Sequence, residues 1–379
     1  MPSSTPYLPL GQFICPIDER NSDGAVTKLL GVSVNKCFIP SVANTIGTDM
    51  SKYKVVRKGQ FVYVPVTSRN GEKITVAHEC IVSQAYVVFE VSDTEHLLPE
   101  YLMLWFLRPE FDRYARFYSH GSAREVFDWE TLCATLIPVP PVAEQARIVR
   151  QFATLEKRVA LCQERISLIE RTASALYRKT FVDGINPNQL PDGWRMGTLG
   201  EVGEVVTGKT PSIQHPQDFG DWMMFVTPSS FNGQRYITAT ERRLSLDGAS
   251  RLQKKIVPAG SLMFTCIGSN MGKVSITTSD CISNQQINAL ILDKESLSYY
   301  LYQFFSGRQL ELQALASGSS TMPMLSKGDF EKVPVTIPSE SVLGYFSKLV
   351  SPLCADILNK QRQLSCLERM QELLLTQIK

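Results

Sequence analysis

Gly203, Gly208, Lys209 and Thr210 stand at the spacing of a phosphate-binding loop, in which backbone N–H groups cradle phosphates, the lysine neutralises them and the hydroxyl holds Mg²⁺. The intervening Glu204, Val205, Val206 and Thr207 are charged or β-branched where small flexible residues are needed, and Pro211 falls where a helix should already run. A strand followed by its turn is the better reading. The chain has no G-x-S-x-G elbow, no H-E-x-x-H, no G-x-G-x-x-G and no Asp/Asn-Pro-Pro-Tyr segment. It therefore reads as non-catalytic, with no metal-ligating set of its own.

The remaining candidates are polar, glycine-rich turns at matching places in the two halves of the chain. In the second half they are residues 207–212 (TGKTPS), 267–273 (IGSNMGK) and 317–323 (SGSSTMP); in the first they are 67–73 (TSRNGEK) and 119–124 (SHGSAR). Small hydroxyl and amide side chains beside one cation suit phosphate contacts, because backbone N–H groups can approach the anion while the cation neutralises it. Arg, Lys, Asn and Gln can also hydrogen-bond base edges in the major groove. The candidate DNA-contacting residues are Ser68, Arg69, Asn70, Lys73, Ser122 and Arg124 in the first half, and Lys209, Thr210, Ser269, Asn270, Lys273, Ser319, Ser320 and Thr321 in the second. Each alone is also what an ordinary surface turn looks like; the set carries more weight than its members.

Composition sets the bounds. At 379 residues the chain is expected to form two or three domains. Its 44% hydrophobic and 20% charged content is that of a soluble globular protein, and a net charge of +2 requires any basic surface to be local. Nine cysteines without a C-x-x-C pair, and His78, His96, His120 and His215 standing far apart, give neither a disulfide framework nor a zinc site. The N-terminal MPSSTPYLPL lacks the basic start and apolar core of a signal peptide, and no apolar run approaches a membrane span. A reduced, cytoplasmic protein is expected.

The turns need elements to hold them. Residues 54–66 and 80–91 read as strands, and 98–118 as a helix that turns Tyr101, Leu102, Trp105 and Phe106 inward. In the second half, 223–227, 261–267 and 287–292 read as strands and 299–315 as a helix. The halves look like copies: VRKGQFVYV (56–64) aligns with VPAGSLMFT (257–265), and at that same offset Cys80-Ile81 meets Cys281-Ile282 and Ser83-Gln84 meets Asn284-Gln285. Leu132 and Pro140 match Phe330 and Pro338 at nearly the same offset, which marks an internal repeat.

Each copy runs into a long helix. In the first, Ile148, Phe152, Leu155, Val159, Cys162, Ile166, Ile169, Ala173 and Leu176 step by four and three, the rhythm of a coiled-coil seam. Pro138, Pro140 and Pro141 upstream, with Gly184 and Pro187 downstream, bound a helix of about 38 residues and roughly 57 Å. Its cations, Arg147, Arg150, Lys157, Arg158, Arg165, Arg171, Arg178 and Lys179, read as a solvated face. The second seam is Phe346, Val350, Leu353, Ile357, Lys360, Leu364, Leu367, Gln371, Leu374 and Ile378, with Lys360 and Gln371 as polar interruptions that fix register. The expected fold is α+β: two similar α/β domains in an internal pseudo-two-fold repeat, separated by two long helices, with boundaries at 1–140, 141–183, 184–338 and 339–379.

The segments IPVPPVAEQARIV, LPDGWRMGTLGEVGEVVTGKTPS and SGSSTMPMLSKGDFEKVPVTIP resemble the specificity subunit of type I restriction-modification systems. The matching segments fall within residues 130–379, and the order of domains and helices covers the whole chain. The resemblance implies two target-recognition domains, each reading one half of a split asymmetric site in double-stranded DNA, and two helices packed antiparallel as a coiled coil. It also implies two methyltransferase (modification) subunits carrying S-adenosylmethionine, and motor-nuclease (restriction) subunits using ATP and Mg²⁺, with no cofactor on this chain. Two departures stand out. The first copy opens with YLPLGQF instead of Leu-Pro-x-Gly-Trp, and the second helix begins SESVLGYF where the first has VAEQARIV. The alternatives from other classes are a nucleotide-dependent enzyme using the 203–210 turn and a coiled-coil adaptor without nucleic acid.

Overall fold

The computed structural model describes residues 5–41, 47–66, 74–76, 79–121, 125–212, 214–268, 270–316 and 324–378. Its contacts divide the chain into two units, Met1–Val159 with Leu367–Lys379, and Ala160–Cys366. Unit 1 contains strands β1 (Tyr7–Pro9), β2 (Ile14–Ile17), β3 (Leu30–Val32), β4 (Phe38–Pro40), β5 (Lys54–Val56), β6 (Phe61–Tyr63), β7 (Ile74–Val76), β8 (Cys80–Val82) and β9 (Val87–Val91). Helices α1 (Pro99–Phe106), α2 (Pro109–Tyr118) and α3 (Trp129–Ala134) follow, then β10 (Leu136–Pro138) and the first part, to Val159, of the long helix α4 (Val142–Phe181). An antiparallel sheet in the order β2-β9-β6-β7 carries the core, accompanied by the pairs β5-β8, β3-β4 and β1-β10. Its inner face is aromatic: Phe61 stacks on Phe89 at 5.0 Å between ring centroids, and Phe106 meets Phe111 at 4.8 Å.

Unit 2 repeats this plan with more strands. It begins with β11 (Arg195–Thr198), α5 (Leu199–Val202), β12 (Glu204–Thr207), β13 (Phe219–Gly220), β14 (Met223–Val226), β15 (Tyr236–Ile237), β16 (Arg242–Leu244) and α6 (Leu246–Arg251). Then come β17 (Leu262–Thr265), β18 (Val274–Thr277), β19 (Cys281–Ser283), β20 (Ile287–Ile291), α7 (Glu295–Phe305), α8 (Gln309–Ala316), α9 (Lys327–Glu331), β21 (Pro334–Ile337) and the long helix α10 (Glu340–Thr376). The sheet β12-β20-β17-β18-β15 contains the counterpart of β2-β9-β6-β7, β11-β21 matches β1-β10, and β13-β16-β14-β19 is a second layer. The two copies share side-chain detail as well. Tyr101 donates its hydroxyl to the Pro138 carbonyl (3.2 Å) and Tyr300 donates to Thr336 (2.7 Å). A Cβ on Gly11 would lie 2.8 Å from the Cys133 Cβ, and one on Gly200 would lie 3.3 Å from the Glu331 Cβ, so both copies use glycine where the opening turn meets the same late helix. Tyr7 pairs with Pro138 as Met196 pairs with Thr336. The YLPLGQF opening is therefore the structural counterpart of MGTLGEV (196–202).

Several elements differ from the sequence expectation. Residues 54–66 hold two strands, β5 and β6, and 80–91 hold β8 and β9, each pair divided by a turn. Residues 98–118 hold two helices, because Pro109 has no N–H to donate and forces Arg108 to an extended conformation (φ −72°, ψ 135°). The helix expected over 299–315 breaks into α7 and α8 across Gly307, whose φ of 89° no helix accommodates.

The long helices behave as amphipathic partners in each unit. In unit 1, Ile148 and Phe152 of α4 are buried in one cluster with Leu374 of α10 and the following Ile378, together with Leu10, Tyr101 and Ile137 of the domain. In unit 2, Ile169, Ala173, Tyr177 and Phe181 of α4 are buried with Phe346, Val350, Cys354 and Ile357 of α10. There the Cys162 thiol reaches the Lys360 carbonyl (3.2 Å) and Arg165 pairs with Asp356 (2.8 Å), so the pairing is antiparallel. The polar seam residue is Gln361, not Lys360. Gln361 is 0% exposed, with neither amide atom hydrogen-bonded among the described residues, whereas Lys360 lies at the flank and donates to Gln363 (2.9 Å). By length and composition α10 could cross a membrane, contrary to the sequence expectation, but its seam residues lie against α4 in each unit.

Polar side chains tie each domain to its helix ends. In unit 1, Gln145 of α4 is fully buried and satisfied, accepting from the Leu98 N–H (2.8 Å) and donating to the carbonyls of His96 (2.7 Å) and Pro140 (2.8 Å). In unit 2 the side chain of Arg235 is 0% exposed and grips Glu170 of α4 through two bonds of 2.9 and 2.6 Å. Its guanidinium also lies 4.1 Å from the Tyr302 ring centroid and donates to the Cys354 sulfur (3.4 Å). Burial opposes this charge, but the Glu170 carboxylate outweighs it and holds Arg235 above its ordinary value. Glu170→Leu, which strands the buried cation, is expected to cost about 3–5 kcal/mol, and Glu170→Leu/Arg235→Met should restore most of it. Urea melts of the full chain provide the check; a single variant that melts like the wild type would show that the pair does not hold the domain to the helix.

Candidate nucleic-acid interface

At one end of the unit 2 sheet, turns far apart in sequence are bonded to one another. β12 ends at Thr207, and the next residues run beside the turn joining β19 to β20: the Gly208 N–H donates to the Ile287 carbonyl (3.2 Å) and the Lys209 N–H to that of Ser283 (2.8 Å). The Thr210 hydroxyl donates to Gln285 Oε1 at 2.7 Å. The Cys266 N–H donates to the Gln286 carbonyl (2.8 Å), which brings in the β17–β18 hairpin, and the Leu325 N–H donates to Cys266 (3.0 Å). Asn288, 2% exposed, joins two of these strands, accepting from the Thr207 hydroxyl at Oδ1 (2.6 Å) and donating from Nδ2 to the Leu325 carbonyl (3.3 Å). Within the hairpin, the Thr265 hydroxyl donates to the Asn270 carbonyl (2.6 Å) and accepts from the Lys273 N–H (3.0 Å). The fold thus fixes the backbone of these turns and leaves side chains to face out.

Four of the sequence candidates fall within this cluster. Lys209, Thr210 and Asn270 are exposed and Lys273 is half-buried, and neither lysine meets a carboxylate among the described residues. Ser269, Ser319, Ser320 and Thr321, and in unit 1 Ser68, Arg69, Asn70, Lys73, Ser122 and Arg124, lie outside the described residues. The residues flanking those segments are held side by side all the same. Val66 bridges Val126, and the Phe127 N–H donates to Pro65 (2.9 Å), so the residues that precede 67 and follow 124 meet. In unit 2, Ile267 bridges Met324 in the same way.

The Gly203 to Thr210 pattern is not a phosphate cradle. Residues 204–207 are a strand paired with β20, and the N–H groups of Gly208 and Lys209 point at protein carbonyls. The thiols here are not activated: burial pushes Cys281 up to about 11 and Cys266 up to about 12. Cys80, the counterpart of Cys281 in unit 1, is pushed up to about 11. These thiols stay protonated at neutral pH and pack as small apolar groups.

The sequence reading missed four contributors. Gln285 is exposed at the tip of the β19–β20 turn, and it had served only as a repeat marker. Asn284 and Gln286 brace that tip, with Asn284 Nδ2 donating to Gln286 Oε1 (3.0 Å) and the Gln286 N–H to Asn284 Oδ1 (3.1 Å). Asn288 carried a usable signal, an amide in the middle of the apolar run INALI, since a buried polar group must find partners.

The chain has relatives across its length. A model of the type I restriction modification DNA specificity domain matches residues 37–171 and again 191–362. The chain is 23% identical, over 91% of each chain, to the type I restriction enzyme HindI specificity subunit of Haemophilus influenzae. It is 27% identical to the MjaIX specificity subunit of Methanocaldococcus jannaschii over 48% of this chain and 43% of that one. The type-I restriction-modification system S subunit from M. genitalium has a similar fold, with a TM-score of 0.65 at 12% identity over 98% of this chain and 95% of that one.

Gly208 is the position where the cluster tolerates least. A Cβ there would lie 2.2 Å from the Ser283 carbonyl oxygen and 2.3 Å from that of Asn284, both backbone atoms. Gly208→Ala is expected to cost about 1–3 kcal/mol and to loosen the β19–β20 turn. A lower melting temperature together with faster hydrogen exchange at the Lys209 amide would bear this out; unchanged exchange would mean that the two turns are not coupled.

Proposed function

The chain belongs to the type I restriction modification DNA specificity family, and from that premise we propose that it is the DNA-recognising specificity subunit of a type I restriction-modification complex. The observation that carries this reading is that the specificity-domain match falls twice, once on each structural repeat. In this reading unit 1 and unit 2 each read one half of a split, asymmetric site in double-stranded DNA. Lys209 and Lys273 make phosphate contacts; Thr210, Ser269, Asn270, Ser319, Ser320 and Thr321 lie against the same half-site. Ser68, Arg69, Asn70, Lys73, Ser122 and Arg124 serve the other half.

The chain is non-catalytic and a scaffold. Two methyltransferase subunits bring S-adenosylmethionine, and motor-nuclease subunits bring ATP and Mg²⁺. The protonated buried thiols and the protein-bonded N–H groups of the 203–210 segment support this division of labour and speak against the nucleotide-dependent alternative. No disulfide joins cysteines among the described residues, as suits a reducing cytoplasm, where the DNA is.

The test uses the full chain assembled with its native methyltransferase partners. Affinity for the methylated motif should fall steeply with salt, and Lys209→Ala and Lys273→Ala should each reduce the log–log slope by about 0.9 without altering the motif. Arg69→Ala and Arg124→Ala should change preference in one half-site only. Salt-independent affinity, or equal affinity for unrelated duplexes, would overturn the assignment.

A further inference from the structure

We propose that Gln285 reads an adenine in the half-site bound by unit 2, and that Thr210 is the positioning residue that fixes the Gln285 amide. This rests on the DNA-recognition reading above and assigns to one side chain a base that the family match does not identify.

Gln285 is exposed on a turn that is fixed from several sides. The Ile287 N–H donates to the Asn284 carbonyl (3.2 Å), the Asn284 N–H to Val226 (3.0 Å), the Lys209 N–H to Ser283 (2.8 Å) and the Cys266 N–H to Gln286 (2.8 Å). The side-chain oxygens of Asn284 and Gln286 are both engaged within the turn. Of the three consecutive amides, Gln285 alone is exposed, and it keeps both donors and part of its acceptor for a ligand. Its partner among the described residues is Thr210, whose hydroxyl donates to Oε1 at 2.7 Å. That bond occupies one lone pair of Oε1, leaves the second lone pair and both Nε2 hydrogens available, and holds the end of the side chain in one place.

An amide in a fixed orientation selects among bases. Adenine presents an N6–H donor beside the N7 acceptor in the major groove, so Oε1 can accept from N6 while Nε2 donates to N7. Guanine presents two acceptors, O6 and N7, and would set O6 against Oε1. Reversing the amide does not rescue guanine, because Oε1 would then meet N7, also an acceptor; the Thr210 hydroxyl locates the amide at the turn. Lys209, next in the chain and exposed, can reach a phosphate without reading sequence. Unit 1 places Gln84 at the same point of the β8–β9 turn, where the Tyr86 N–H donates to the Ser83 carbonyl (3.0 Å).

The experiment sequences methylated adenines in DNA from cells that express the full chain with its native methyltransferase partners. In parallel, the purified complexes are bound to duplexes carrying each base pair at the affected position. Gln285→Ala should lose preference for one A·T pair in one half-site, a discrimination of about 5- to 150-fold, and leave the other half unchanged. Gln285→Glu should move the preference at that position towards C·G, because a carboxylate accepts from cytosine N4. Thr210→Val should weaken the same position and Thr210→Ser should restore it, a rescue that a merely structural role would not confine to one base pair. An unchanged motif in Gln285→Ala, or relaxation at a pair other than A·T, overturns the proposal and leaves DNA recognition standing. A wild-type complex that favours no motif in either measurement overturns the recognition reading and this proposal with it.

Discussion

An amphipathic helix of 40 residues with one apolar seam cannot present that seam to water, and the organisation of this chain follows from that constraint. Each unit closes the seam by bringing one end of α4 against the opposite end of α10 and building its domain core onto both. The apolar contacts do not by themselves choose a register, since a four-three pattern slid by one heptad would bury similar residues. The polar ties supply that choice. Arg235 reaches Glu170, Tyr302 and Cys354 at once, and Gln145 satisfies three backbone groups, so a slipped helix would leave a buried guanidinium or amide without partners.

The same economy of partners governs the proposed reading surface. Its backbone is bonded strand to turn to turn, through Asn288, Cys266 and Gly208, so that the exposed side chains stand on fixed supports. This separation matters for a protein that must discriminate between bases. A side chain held to within a fraction of an ångström can reject a wrong hydrogen-bond pattern, whereas one on a loose turn can adapt to it. Specificity can then change by substitution at the tip, with the sheet beneath it unaltered.

What the sequence displayed was periodic or repeated. The limits of α4 follow from prolines and a glycine, the seam from four-three spacing, and the two copies from a constant offset that the paired sheet orders reproduce. What it hid was long-range and singular. Nothing in the spacing of Arg235 and Glu170, or of Thr210 and Gln285, marks them as partners, because each pair is made by the fold and occurs once. The misassigned seam residue has a related cause. Lys360 and Gln361 are adjacent polar residues, and only the local phase of the helix against α4 decides that the amide is buried while the ammonium escapes to the flank. The divided helices escaped notice because Pro109 and Gly307 interrupt segments whose apolar content continues on both sides.

The copies share a framework and differ in the side chains it carries. The sheet order and the Tyr101 and Tyr300 bonds are held in common. The helix ties differ, with Gln145 in the first copy and Leu343, an apolar buried residue, at the matching turn of α10. The tips differ as well. In unit 1 the chain after β2 runs Asp18-Glu19-Arg20, and Arg20 is engaged with Asp18 (2.9 Å) and the Lys52 carbonyl (2.9 Å). Gln84 therefore lacks the hydroxyl partner that Gln285 has among the described residues. In the proposed reading, two copies of one framework, carrying the same amide at the same turn, would offer bases different hydrogen-bonding geometry. An asymmetric site needs no second fold; it needs only unequal supports beneath equivalent side chains.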